Sequence, residues 1–180
     1  MKDSAPKFLL LDACIVIEAY KLGIWEKLIE RVDISVSSIV AHKESLFFSK
    51  EQNKIPEPIN LKLLIEKEKI KELEATPQEI AKFLDNFDSV FVAGLDPGEA
   101  ESLALIMFGK FKDGFFCTGD IPAIQALAMI GHSEMGISLE ALLKSIGLQQ
   151  KLRTQFTEKF FKDQINTGST KLLFREGLKR

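Results

Sequence analysis

Phe8-Leu9-Leu10-Leu11-Asp12 is a run of apolar residues closed by an acid, and a mostly apolar continuation follows through Ile15, Val16, Ile17 and Ala19. An apolar run without polar alternation predicts a strand covered on both faces, as strands of parallel sheets are. A carboxylate closing such a strand lies at the carboxyl edge of the sheet, where open α/β folds bind their ligands. Asp12 also admits a local reading as the N-cap of a helix beginning near Ala13, a position that Asp favours. Both readings stand at this point.

The layout returns further on. Phe115, Phe116, Cys117 and Thr118 read as a second buried strand, Gly119 and Asp120 close it, and a helix over Ile121–Ile130 follows with Pro122 in its first turn. Asp120 admits the same cap reading. If the two strands are parallel neighbours, both acids fall on one edge of one sheet.

At 180 residues the chain suits one self-sufficient core. Its two cysteines, Cys14 and Cys117, have no CxxC spacing and signal neither a disulfide framework nor a zinc site, which fits a reduced, cytoplasmic setting. No signal-peptide pattern opens the chain, and the longest uncharged run, Ile121 to Ser133, is too short to span a bilayer, so a soluble protein without membrane association is expected. Charge is uneven. Residues 151–180 carry +5 and the remainder −7. A basic end on an acidic body suits nucleic acid or an acidic partner, and equally a solvated helix face. The organisation expected is a domain over 1–150, with a basic C-terminal helix and tail over 151–180 packed on it or extending from it.

Between the two acid-closed strands, helices are predicted over Ala13–Leu22 and Trp25–Val32 and a strand over Ile34–Ser37. A helix from about Ser38 would place Val40, Glu44, Phe47 and Phe48 on one stripe. Glu44 on a core-facing stripe would need a partner, a proton or a metal, unless a shifted boundary turns it to the surface. Residues 49–60, with Pro56 and Pro58, read as a loop. A short helix over Leu61–Lys67 and a strand over Ile70–Leu73 come next. Thr76-Pro77-Gln78-Glu79 is a capping box opening a helix to about Phe87, and Asp96-Pro97-Gly98-Glu99 opens another to about Phe108. Glu99 has a capping role there, which leaves Glu101 to face a cleft or to answer the helix dipole. A last strand near Met135–Ile137 and a helix over Leu139–Ser145 complete the body. Leu152, Phe156 and Phe160 predict an amphipathic helix, and residues 164–180 read as weakly ordered, with a break at Gly168, Ser169 and Thr170.

The acids singled out are thus Asp12, Glu44, Glu101 and Asp120. No catalytic serine motif, phosphate loop or histidine cluster accompanies them; His42 reads as surface and His132 as a helix-end cation. Oxygen ligands without histidine or thiolate suit Mg2+ or Mn2+ rather than zinc, ions that commonly serve phosphoryl chemistry.

Four stretches, LLDACIVIEA (10–19), SSIVAHKES (37–45), LDPGEAESLAL (95–105) and CTGDIPAIQALAMIG (117–131), stand in an order that resembles PIN domains over nearly all of residues 7–147. The resemblance implies a three-layer α/β/α sandwich around a mostly parallel sheet. It also implies the VapC-like activity of metal-dependent ribonucleases, many of them toxins of toxin–antitoxin pairs. It sets the family's acids on Asp12, Glu44 and Asp120, a hydroxyl on Thr118, and a third acid on Glu101, with Glu99 in reserve. Departures are Glu at the third acid, where Asp is common, Cys14, where Ser or Thr is common, and a longer loop from Phe48 to Asn60. The expectation is therefore a Mg2+- or Mn2+-dependent ribonuclease acting on an RNA substrate, with a homodimer and an antitoxin protein as the partners that the resemblance implies. The rival is a catalytically silent PIN-like scaffold that docks RNA or protein. A phospho-receiver or haloacid-dehalogenase-type phosphatase ranks last, because Ala13 and Cys14 stand where those sites prefer a second acid.

Overall fold

Leu9 and Leu11 face one side of the first strand, β1 (Phe8–Leu11), and Leu10 faces the other; all three are fully buried. Side chains alternate along a strand, so a continuous apolar run requires cover above and below. The computed structural model describes residues 8–49 and 55–179. After β1 come α1 (Ala13–Lys21), α2 (Trp25–Ile29), β2 (Asp33–Ser37), a π-helical turn (Val40–Glu44), β3 (Phe47–Phe48), β4 (Glu57–Pro58), α3 (Leu61–Glu66) and β5 (Lys71–Leu73). There follow α4 (Pro77–Leu84), α5 (Ser89–Val92), α6 (Pro97–Met107), β6 (Phe115–Cys117), α7 (Ile121–Met129), β7 (Gly136–Ile137), α8 (Leu139–Ser145) and α9 (Glu158–Phe174).

The sheet is five-stranded and parallel throughout, in the order β5-β2-β1-β6-β7. On one face Leu9, Leu11, Ile34 and Val36 pack with residues of α1, α2, α3 and α8. On the other, Leu10 and Phe116 pack with α4, α6 and α7, and α9 lies outside α7. The result is a three-layer α/β/α sandwich. Because β1 and β6 are hydrogen-bonded neighbours, with Leu9 opposite Phe115 and Leu11 opposite Cys117, their carboxyl ends emerge together. Among the described residues no helix is long and apolar enough to cross a membrane.

Several expectations change. The helix from Ser38 stops at Glu44, and Phe47 and Phe48 form β3, paired antiparallel with β4 inside the stretch read as loop. The strand β4 is exposed and two residues long, so it tolerates Pro58, which a central strand would not. Residues 50–54 of that loop, and Arg180 of the basic tail, lie outside the described residues. The short helix α5 was not anticipated; Asp88 caps it, its Oδ1 accepting from Phe91 N at 2.8 Å.

The C-terminal expectation needs the larger correction. Leu152 precedes and Phe156 occupies a 3-10 turn (Thr154–Phe156), and the helix begins only after Thr157, which caps it through Phe160 N. Residues 164–174 are not weakly ordered: α9 runs unbroken to Phe174. Gly168 is not a break but the point where α9 presses on α7. A Cβ there would lie 2.5 Å from the Gln125 carbonyl oxygen and 2.8 Å from its Cα. Glycine inside a helix costs about 1 kcal/mol relative to alanine, and here that cost secures a close helix crossing.

Candidate metal centre

Both acid-closed strands deliver their carboxylates to one edge, as the neighbour relation of β1 and β6 requires. Asp12 is extended in backbone (φ −77°, ψ 159°) and caps α1, its Oδ1 accepting from Ala13 N at 2.7 Å. Its Oδ2 accepts from the Thr118 hydroxyl at 2.7 Å and from the Cys14 thiol at 3.3 Å. The cap reading is therefore correct for one oxygen, while the other faces Thr118 and Cys14. Asp120 occupies the N-cap position of α7, yet its side chain makes no capping hydrogen bond. Its backbone N–H instead donates to Thr118 Oγ1 at 3.2 Å, so one buried hydroxyl links the segments carrying both acids.

Cys14 completes the group. Its sulfur accepts from Gly119 N at 3.3 Å, and ligand atoms of Asp12, Cys14 and Asp120 all lie within 4.8 Å of one another. These three residues could hold a metal ion. Burial, with Asp12 and Asp120 alongside, raises the Cys14 thiol well above its ordinary range, so without a cation it is a neutral donor. Burial also lifts Asp12 from 3.8 to about 7 against the pull of the Thr118 hydrogen bond, and the charge of Asp120 adds to the rise.

The structure separates Glu99 from Glu101. Two positions along an α-helix differ by about 200°, which sets these side chains on nearly opposite sides of α6. Glu99 Oε2 reaches back to Asp96 N at 2.9 Å, as a cap should. Its carboxyl is nonetheless pushed up to about 9, first by burial and then by the charge of Asp12, with Asp120 contributing. Glu101 points the other way: Oε2 accepts from Ile39 N at 2.7 Å and Oε1 from Ala75 N at 3.3 Å. It is a buried carboxylate that ties α6 to the ends of β2 and β5, and it does not join the Asp12 group.

Glu44 stands with Glu101 rather than with Asp12. Its Oε1 accepts from Gly98 N at 2.8 Å, satisfying one of the free donors at the start of α6. Burial raises its pKa, that hydrogen bond lowers it, and Asp96 and Glu101 raise it further. The carboxylate lies so close to Gly98 that a Cβ would overlap it. The five acids thus fall into two groups. Asp12 and Asp120 act on Glu99 through their charge at the sheet edge, while Glu44 accepts from the Gly98 N–H and Glu101 from the N–H groups of Ile39 and Ala75.

Among the described residues, no lysine, arginine or histidine forms an ion pair with Asp12, Glu99 or Asp120. His42 pairs with Glu72 at 3.0 Å and lies exposed, as expected of a surface residue. The donor set suits a divalent cation: hard carboxylate oxygens with a single thiol beside them. In the sequence Cys14 stands out as a cysteine without CxxC spacing, as a departure from a hydroxyl position and as a residue where phosphatase-type sites prefer an acid, and none of these marks it as a ligand. Its signal was its place in the first turn of α1, two residues after Asp12. Comparison of the chain with protein-family models, with curated proteins and with solved structures returns no match, so the site stands on its own chemistry.

Proposed function

We propose that this chain is a ribonuclease that hydrolyses RNA phosphodiester bonds with Mg2+ or Mn2+ held by Asp12, Asp120 and Glu99. The observation that carries the proposal is the meeting of Asp12 and Asp120 at the carboxyl edge of a parallel sheet, their ligand atoms within 4.8 Å of each other and of Cys14, with Glu99 raised by the charge of both and no basic partner among the described residues. Mutually repelling buried acids are costly, and a divalent cation removes the cost. A cation at such a site supplies charge stabilisation to a phosphoryl oxygen and acidifies water.

The protein's own groups have definite parts. The Thr118 hydroxyl holds Asp12 Oδ2 in place, and the Cys14 thiol donates to the same oxygen. Glu99, held high by its surroundings, keeps a proton until a cation or substrate changes the local charge. Glu44 and Glu101 position α6 and so present Glu99. The choice of RNA rests on the order of the four acidic stretches, which resembles PIN domains; a homodimer and a small antitoxin partner belong to the same reading.

The test is cleavage of an RNA oligonucleotide by wild type and by Asp12→Asn, with Mn2+ and with EDTA. Cleavage that EDTA abolishes and Asp12→Asn reduces at least a hundredfold supports the proposal; equal, chelator-insensitive activity in both sinks it. One observation favours a second reading, a silent scaffold: two of the expected acids, Glu44 and Glu101, are occupied by backbone N–H groups. Calorimetry with Mn2+ decides between them, since a scaffold takes up no metal at millimolar concentration.

A further inference from the structure

Arg153 is held against α1 by a buried partner, and nothing in the sequence sets it apart from the other basic residues of 151–180. Its Nη2 donates to Glu18 Oε2 at 2.6 Å and its Nε to Oε1 at 3.4 Å, across 135 residues of chain. Glu18 lies in α1, one helical turn beyond Cys14, and is buried, whereas the Arg153 side chain is 57 % exposed. The guanidinium carbon stands 5.0 Å from the centroid of the Phe156 ring. That ring in turn lies against Gly119, where a Cβ would come within 2.5 Å of Cε1. Gly119 separates Thr118 from Asp120 and donates its N–H to Cys14. A single chain of contacts therefore runs from the guanidinium through one aromatic ring to the backbone between Thr118 and Asp120.

We propose that Arg153 binds a phosphate of the RNA strand next to the one presented to the acids, an assignment that rests on the ribonuclease reading. A guanidinium has five donors in a planar fork. Glu18 takes one edge of it, and among the described residues nothing engages Nη1, which remains for an oxyanion on the exposed side. The buried carboxylate fixes the fork's orientation, and Phe156 backs its flat face. Lys159, Lys162 and Lys179 differ: each is tied to an acid on the surface, and they offer flexible point charges. A cation beside the acid group also answers an electrostatic need, because a strand approaching bare carboxylates is repelled unless positive charge flanks them.

The decisive variant is Glu18→Gln with Arg153→Gln. It removes one charge of each sign, so the net charge of −2 is unchanged, and it leaves two amides able to bond each other in place of a buried unpaired carboxylate. Binding of a fluorescent single-stranded RNA is read by anisotropy in the Asp12→Asn background, where no cleavage interferes, over a range of salt. The proposal expects affinity to fall about tenfold at low salt, the scale of one charge-assisted contact. It also expects the slope of log K against log salt to shrink by about 0.7, one phosphate on a single strand. Lys159→Gln, which does change the net charge, should cost less than twofold. Circular dichroism confirms folding; should the double variant unfold, Arg153→Lys is read instead, with binding weakened about threefold and the Glu18 pair retained. Unchanged RNA affinity in the folded variant, an equal loss from Lys159→Gln, or no RNA binding by the parent protein each overturns the assignment. Metal-dependent cleavage is measured separately, so loss of the ribonuclease reading is distinguishable from loss of this one.

Discussion

Asp12→Asn offers a reading of the acidic edge that does not depend on catalysis. In the folded chain Asp12 is raised from 3.8 to about 7, with burial as the first cause. The native state therefore holds more protons than the unfolded state between those values, and stability falls as pH rises through that window. The favourable contribution is fully present below about pH 4 and lost above about 7. At 1.36 kcal/mol per pH unit the rise corresponds to about 4 kcal/mol. Asparagine keeps the shape, accepts from Ala13 N through its carbonyl, and turns an amide toward Thr118, whose hydroxyl can rotate to accept. Allowing about half of the full value for relaxation and the altered hydrogen bonds, the substitution should stabilise the metal-free protein by about 2 kcal/mol at pH 8. For a chain of this size that is a rise in Tm of roughly 4–8 °C. The gap should close as the pH is lowered to 4. Thermal unfolding at several pH values, with and without 1–10 mM Mn2+ as roughly the working range, reads both effects: Mn2+ should raise the Tm of wild type and leave Asp12→Asn unmoved. If the two proteins share one pH profile and Mn2+ shifts neither, the picture of a strained, cation-seeking edge is refuted.

Glu99→Gln and Glu101→Gln should part in opposite directions: the first stabilises the metal-free protein above pH 7 and weakens Mn2+ binding, and the second costs about 1–3 kcal/mol in urea unfolding with Mn2+ affinity retained. Gly168→Ala should destabilise the protein by about 1–3 kcal/mol through its clash with the Gln125 backbone, measurable as a lower urea midpoint at constant slope. Gly98→Ala should displace the Glu44 carboxylate, whose flexible end can move, so the fold persists with a loss of about 1 kcal/mol and unchanged Mn2+ affinity by calorimetry.

The strand–acid–helix units around Asp12 and Asp120 were legible because everything they need is local: an apolar run, an acid, and a helix whose first turn follows at once. Their meeting required only that β1 and β6 be parallel neighbours. Glu99 and Glu101 are harder to tell apart from sequence, because the capping role of Glu99 hides its second oxygen. A carboxylate has two oxygens, and one of them is enough for the cap. Glu44 was rightly suspected of needing a partner, yet its partner is the Gly98 N–H, a contact 54 residues away that no periodicity announces. Gly168 misled for a similar reason. A glycine that loosens a helix and a glycine that admits another helix look the same until the second helix is placed. The Glu18–Arg153 pair left no local trace at all.

The contact at Gly168 also bears on how the chain reaches this state during synthesis. Helix α7 is apolar on nearly every side because the sheet covers one flank and α9 the other. Some thirty residues separate the end of α7 from the first turn of α9, so on the ribosome α7 waits with a greasy flank uncovered until its late partner emerges. Chains released early, or shortened ahead of Glu158, should stick to one another and call on chaperones.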